Sequence, residues 1–454
     1  MATQPPQEAQ SKTAPQPISR RAFNRAAAGV LVGGALDLNA LGPSASPADI
    51  DGERVNRILS ELQRYGGTGD GGTTRLAYSN EDLAAREYVS ETMSHAGLDV
   101  SIDLAGNLVG RKVGTSPGAK PVVIGSHIDS VPNGGSYDGQ VGSAGALEVA
   151  LSLHDQSIEL RHPLEVIIFQ NEEGGKTGSR ALVGRVEPFE LELETASGFT
   201  IHEGIRRLGG NPERLAEAQR QADSVHGFLE LHIEQGGVLE AADVQIGVVE
   251  GIVGIRRWTM TVEGVPNHAG TTPMDQRRDA LVASSELTVA VHQIALETPG
   301  RHVATVGRIE AVPGAPNVVP GRVVASLEIR DLTMDRIGEL YELIREAALE
   351  IDERRNVTTA FDRFYESLAA PTDPRLRDIV ESSAEAGGYR SMRMPSGAGH
   401  DAQSMAEVGP IGMIFVPSDA GVSHSPKERT AAEDVKRGTH VLFESLLRLD
   451  QSDL

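Results

Sequence analysis

The chain contains no cysteine. Thiolate catalysis, disulfides and cysteine-based metal sites are therefore excluded, and any metal must be held by His, Asp and Glu, which favours hard or borderline divalent ions. The absence also suits an oxidising compartment, where free thiols are liabilities. Positive charge is scarce as well: 42 Lys and Arg face 64 Asp and Glu, a net charge of -22. Nucleic acid is thereby excluded as a partner, since binding it needs a basic surface. An acidic surface of this kind serves solubility and repulsion between copies. Long apolar runs are missing too. The stretch from Ala26 to Leu36 falls well under the ~20 residues that span a bilayer, so no permanent membrane anchor is expected. What is present, 39% hydrophobic and 23% charged residues over 454 positions, describes a soluble globular chain too long for one ordinary core.

The N-terminus has its own character. A polar segment rich in Gln and Pro leads into Ser19-Arg20-Arg21-Ala22-Phe23-Asn24-Arg25 and then the apolar run. Paired arginines ahead of a short apolar segment are the layout of a twin-arginine export signal, here residues 1–46, which places the protein in the periplasm or outside the cell.

From about residue 48 the pattern alternates helices and strands. Ile50–Arg64 and Asn80–Ala96 have helical apolar spacing, and Leu98–Gly110 reads as two short strands around Ala105-Gly106-Asn107. Pro121–Gly125 and Leu164–Phe169 are short apolar strands separated by a small-residue helix at Val141–His154. Such strands joined by helices imply a mostly parallel α/β sheet, with ligands at its carboxyl edge. The middle reads differently: Gly247–Gly264 as strand, Arg277–Glu297 as helix, Ala304–Ile309 and Gly321–Arg330 as strands, and Asp335–Arg354 as helix. This predicts an α/β catalytic domain in two parts, 48–242 and 358–450, interrupted by a smaller α+β domain at 243–357.

Four constellations carry chemistry. Gly125-Ser126-His127-Ile128-Asp129 ends a strand, and the glycine-rich Gly134-Gly135-Ser136-Tyr137-Asp138-Gly139 turns back towards it. Asp129, two residues after His127, is placed to accept the imidazole N–H and fix its tautomer. Asn171-Glu172-Glu173-Gly174 follows a buried strand, where adjacent carboxylates are costly unless a cation neutralises them. A metal there divides their roles: one carboxylate ligates and the other takes a proton from water. In Leu229-Glu230-Leu231-His232-Ile233-Glu234-Gln235-Gly236, alternation sets His232, Glu234 and Gly236 on one face. His424 sits in Gly421-Val422-Ser423-His424-Ser425-Pro426. Together these supply enough histidines and acids for two metals that share a bridging carboxylate.

In GSHIDSVPNGGSYDG, FQNEEG, HIEQGGVLE, NHAGTTPMDQRRDA, PGAPNVVPG, LEIRD, PSGAGHDAQ and FVPSDAGVSHSPKE the chain resembles the M20-type metallohydrolases. The resemblance is to the hydantoinase/carbamoylase branch, which contains N-carbamoyl-L-amino acid hydrolases and allantoate amidohydrolases. The stretches run in the family's order along nearly the whole chain. The resemblance implies a di-metal catalytic domain with an inserted lid and dimerisation domain. His127 and Glu173 would belong to different metals, Asp138 would bridge them, and His232 and His424 would complete the two sites. Glu172 would be the general base. His268, in the inserted domain, looks like the family's histidine that enters a neighbouring subunit's site and stabilises an oxyanion, which implies a homodimer. Asn317 and Arg330 look like the pair that binds a substrate carboxylate. Gln235 and the Gly397–His400 turn would contact the carbamoyl end. The implied activity is hydrolysis of a carbamoyl or ureido C–N bond beside a carboxylate, with two divalent ions (zinc or manganese, with cobalt and nickel allowed).

Two other readings use the same motifs. One is an exported amidase, aminoacylase or dipeptidase. The other is a non-catalytic metal-dependent binding protein, which retention of Glu172 argues against. One departure stands out: after NEEG the branch continues with Ser-Arg-Phe, whereas this chain has Gly175-Lys176-Thr177, which leaves the substrate range open.

Overall fold

The windows Val122–His127, Leu164–Phe169, Gly227–Ile233 and Ile411–Val416 are buried at every position in a computed structural model describing residues 49–454. The expected export segment, 1–46, lies outside those residues. The four strands are mutually parallel, in the order Leu164–Phe169, Val122–His127, Gly227–Ile233, Ile411–Val416. Alternation sends Ile124, Ile168, Leu231 and Ile414 to one face, against the helices Gly52–Leu62, Gln140–Asp155 and Ala432–Asp450. It sends Val123, Phe169, Phe228 and Phe415 to the other. Each such side chain contributes roughly 1.5–3 kcal/mol by leaving water, so the strand ends that carry the chemistry sit on the best-packed part of the chain.

The parallel core is extended on both flanks by other pairings. Leu108–Lys112 and Asp99–Ile102 add antiparallel strands on one side. On the other, Ile246–Ile252 runs antiparallel to Ile411–Val416 and parallel to Ser391–Ser396, and Ala370–Pro371 closes the nine-stranded sheet. The sheet is therefore mixed, with its parallel strands at the centre.

A second, five-stranded sheet is wholly antiparallel. Gly254–Glu263 lies between Arg322–Asp331 and Thr358–Ser367, with Ile309–Val312 and Val303–Thr305 both pairing to Arg322–Asp331. Helices Ala280–Glu297 and Met334–Arg355 cover one face through Leu287, Val291, Leu340 and Ile344. These placements differ from the sequence reading of a smaller domain at 243–357. Ile246–Ile252 belongs to the large sheet, and the chain passes into the second sheet across the single residue Val253. Thr358–Ser367, left outside by that reading, is an edge strand of the antiparallel sheet. Among the described residues, no helix is long and apolar enough to cross a membrane.

Two loops close over the carboxyl edge of the parallel strands, and one buried side chain joins them. Glu428 accepts the N–H groups of Tyr137 (2.9 Å) and Asp138 (3.0 Å) on one oxygen. On the other it accepts the Ser423 hydroxyl (2.8 Å) and the His424 N–H (3.2 Å). Four donors thus depend on a carboxylate only 5% exposed, and each buried donor left unpaired costs about 1–3 kcal/mol. Glu428→Ala should therefore lower the thermal midpoint of chelator-treated protein and open residues 419–428 to limited proteolysis, with Glu428→Gln milder. An unchanged midpoint and cleavage pattern in both variants would show that the tie is not used.

Candidate active site

His127 is delivered by the end of Val122–His127, His232 by the neighbouring Gly227–Ile233, and His424 by the loop after Ile411–Val416. The His127 Nδ1 faces the Asp129 carbonyl at 3.1 Å, and the His232 Nδ1 faces the Ile233 carbonyl at 2.9 Å. A carbonyl only accepts, so both rings carry a proton on Nδ1, which leaves Nε2 as the atom for an ion; in His232 that Nε2 accepts the Gly139 N–H at 3.1 Å.

Asp138 stands between these rings. Its Oδ1 is 3.7 Å from His127 Nε2 and 3.2 Å from His232 Nε2. Its Oδ2 is 3.4 Å from His424 Nε2, which in turn lies 3.5 Å from Glu173 Oε2. The donor atoms fall into two sets that share Asp138: His127, Asp138 and His232, then Asp138, Glu173 and His424. Ligands about 2.1 Å from one tetrahedral ion stand about 3.4 Å apart, so these spacings fit a metal in each set. The turn that places Asp138 leaves room for nothing larger: at Gly139, with φ +65°, a Cβ would lie 2.3 Å from the His127 ring.

The electrostatics show what the cluster lacks. Burial works against a charged His127, yet the carboxylates of Glu172, Asp129, Asp138 and Glu173 outweigh it and lift its pKa to about 10. The Asp138 hydrogen bond raises His424 to about 9. Glu173 is pushed up to about 8, by burial first and by Asp138 and Glu172 next. Buried carboxylates in excess hold protons on the rings, and divalent cations would meet the same need. Glu172, 3.9 Å from His127 Nε2, is also raised by burial. It belongs to neither donor set, so its carboxylate is free to handle protons.

The remaining expected residues sort differently. The Asp129 carboxylate lies 3.7 Å from His127 Nδ1, too far for the hydrogen bond that spacing suggests. The chain turns after His127, so the Asp129 carbonyl fixes the tautomer while its carboxylate accepts the N–H groups of Glu172 (3.3 Å) and Glu173 (3.2 Å). Its role becomes that of holding the acidic turn. Gln235 donates to Asp138 Oδ2 at 2.6 Å. Arg330 donates to Glu328 (2.7 Å) and to the Gly397 carbonyl (2.6 Å). Among the described residues, no hydrogen bond or ion pair joins it to the exposed Asn317. His400 is buried, pairs with the Ser396 hydroxyl at 2.7 Å, and is held neutral by that burial. His268 is exposed in the two-residue strand Asn267–His268, paired antiparallel with Val318–Val319, and it touches neither donor set of its own chain. Its Nδ1 accepts N–H groups from Gly270 and Thr271, which leaves Nε2–H pointing outward as a donor.

Two residues escaped the sequence reading. Glu230 groups with His232 and His400, and the alternation that aligns His232 with Glu234 also includes it. Both of its oxygens are occupied, by the Ser126 hydroxyl (2.8 Å) and the Ala402 N–H (3.0 Å), so it braces the wall behind His232. Glu428 ends the stretch FVPSDAGVSHSPKE, but no spacing there marks it as the tie to Asp138. Glu234 accepts from Val238 and Leu239 N–H and caps the short helix that follows.

Residues 123–448 match the family described as "Peptidase family M20/M25/M40". An N-carbamoyl-L-amino acid amidohydrolase of Geobacillus stearothermophilus is 39% identical over 409 residues, 89% of this chain and all of that one. The allantoate amidohydrolase of Bacillus subtilis is 36% identical over 87% of this chain and 97% of its own length. An amidase of the hydantoinase/carbamoylase family from Burkholderia multivorans superposes with a TM-score of 0.83 at 35% identity, covering 90% of this chain and all of that structure. With two donor sets sharing one carboxylate and likeness over nearly the whole described length, the chain belongs to the M20/M25/M40 family, in its hydantoinase/carbamoylase branch of amidohydrolases.

Proposed function

We propose that the protein hydrolyses the amide C–N bond of a carbamoyl or ureido group next to a carboxylate, with N-carbamoyl-L-amino acids or allantoate-like compounds as substrates. The observation that carries this reading is Asp138 facing two donor sets at once, with Glu172 beside them and outside both. Two divalent cations held by those sets would polarise the substrate carbonyl and make water a better nucleophile; zinc and manganese suit the ligands, as do cobalt and nickel.

The protein's own groups supply the rest. The Glu172 carboxylate takes a proton from water as the water oxygen bonds to the carbonyl carbon, then passes that proton to the nitrogen as the C–N bond breaks. A carbamoyl amino acid thereby gives the amino acid and carbamic acid, which decomposes to ammonia and carbon dioxide. Gln235 and the Gly397–His400 turn flank the carbamoyl end. Arg330 and Asn317 read the carboxylate, the guanidinium fork matching it in two hydrogen bonds. The His268 Nε2–H, out of reach of its own chain's donor sets, stabilises the developing oxyanion in a second copy, which makes the active unit a homodimer. Export through the Arg20-Arg21 motif is part of the same reading.

Three outcomes test it. Glu172→Gln should keep its metal by elemental analysis yet lose about 10²-fold or more in kcat; turnover above a tenth of wild type would remove Glu172 from the role. Arg330→Lys keeps the charge and loses the fork, so KM for carboxylate substrates should rise about tenfold. Equal hydrolysis of the corresponding esters or amides by the wild type would end the carboxylate idea. Finally, subunits exchanged between inactive Glu172→Gln and His268→Ala proteins should regain activity at one site per mixed dimer. Verified exchange with no recovery would place His268 outside catalysis in trans.

A further inference from the structure

The stretch where the chain departs from its branch puts a cation beside the 397–403 segment. Lys176 adopts φ +58°, a left-handed conformation that costs a side-chain-bearing residue energy and often marks a working position. Its N–H donates to the Glu172 carbonyl at 2.8 Å, which turns the chain back on itself just after the acidic pair. The half-buried ammonium crosses to the 397–403 segment, where it meets the Gln403 side-chain oxygen. It also lies 3.0 Å from where a Cβ on Gly399 would stand. Its charge reaches the base: burial raises the Glu172 pKa, and Lys176 is second only to His127 among the cations that oppose the rise.

The neighbouring cations are not alike. Arg180 is held by both oxygens of Glu190 (2.6 and 2.8 Å), and Arg330 is held by Glu328. Among the described residues, Lys176 makes no ion pair with any carboxylate. An ammonium has three donors, and Gln403 takes one. A cation partly withdrawn from water without a counter-ion is costly unless an anion arrives to meet it. Arg330 approaches the 397–403 segment from the antiparallel sheet through Gly397, whereas Lys176 approaches from the parallel sheet through Gly399 and Gln403. One carboxylate on the Arg330 fork therefore leaves the Lys176 donors unused.

We infer that Lys176 is a second anion-binding residue of the substrate cleft, and that preferred substrates carry a second acidic group, as N-carbamoyl derivatives of acidic amino acids do. The inference rests on the carbamoyl-hydrolase reading above and narrows it. The test compares N-carbamoyl-aspartate and N-carbamoyl-glutamate with N-carbamoyl-asparagine and N-carbamoyl-glutamine, which match them in size but lack the second charge. Wild-type kcat/KM should favour the acids about tenfold or more. Lys176→Met should bring the ratio near one, chiefly through KM for the acids, and Lys176→Arg should restore part of it. In a Glu172→Gln background, calorimetry should show Lys176→Met weakening N-carbamoyl-glutamate binding about tenfold more than N-carbamoyl-glutamine binding. A wild type that cleaves all four without preference overturns the inference and leaves the carbamoyl-hydrolase reading intact. A Lys176→Met protein that loses activity on all four alike also overturns it, by making Lys176 a tie to Gln403 only. A metal-loaded wild type that cleaves none of the four, nor any neutral carbamoyl amino acid, brings down both.

Discussion

A carboxylate 6% exposed at the edge of a buried sheet stays ionised only if its surroundings keep it so, and at Asp138 those surroundings are three imidazoles. His232 and His424 hold its pKa well below the usual carboxylate range despite burial. The arrangement works because Asp138 is fixed from every side. Glu428 accepts its N–H, Gln235 donates to Oδ2, and Gly139 lets the His127 ring lie against the turn. If that carboxylate turned about its Cβ, both donor sets would lose their common member.

The backbone gives up some comfort to achieve this. Asn171, Lys176, Gln235 and His424, all non-glycine, have φ between +53° and +58°. Each sits on one of the loops leaving a parallel strand, where a sharp reversal turns a side chain back over the sheet edge. Strain of this kind persists only where the surroundings over-determine it. Here the rigid element beneath each loop is a strand buried at every position. The surrounding polar groups are then spent on holding loops: Asp129 on the acidic turn, Glu230 behind His232, Glu234 on the following helix.

Much of this was legible in the sequence, for reasons that particular residues make plain. Leu164–Phe169 and Ile411–Val416 are continuous apolar runs, so burial on both faces leaves little ambiguity, and the polar motif after each marks the sheet edge. Gly247–Gly264 was harder. It reads as one strand because no breaker separates Ile252 from Gly254, and glycines nearby signal a bulge as readily as a change of sheet. Ala304–Ile309 reads as one strand where the chain makes two short ones, Val303–Thr305 and Ile309–Val312. In the site, the spacing of His127 and Asp129 identifies the pair but not which oxygen faces the ring, because that depends on how the strand ends. Glu428 closes a stretch the sequence marks, but its role was beyond reach, since its partner Asp138 lies 290 positions earlier. Lys176 was visible as a departure from the branch, but only the fold shows that, among the described residues, it makes no ion pair.

The large sheet also constrains how the chain comes into being. Ile411–Val416 lies between Gly227–Ile233 and Ile246–Ile252, with Ile411 paired to Phe228 and Ile414 to Val248, 183 and 166 positions apart. The antiparallel sheet between them is built from contacts within 254–367 and can form from its own segment. The parallel core cannot close until its late strand is inserted, and contacts of such sequence separation form slowly. His424 and Glu428 come after that strand, so the second donor set is the last piece to assemble. A nascent or truncated chain without residues 411–454 would carry His127, Asp138 and His232 on an unfinished sheet with an open seam, a form suited to aggregation and not to chemistry.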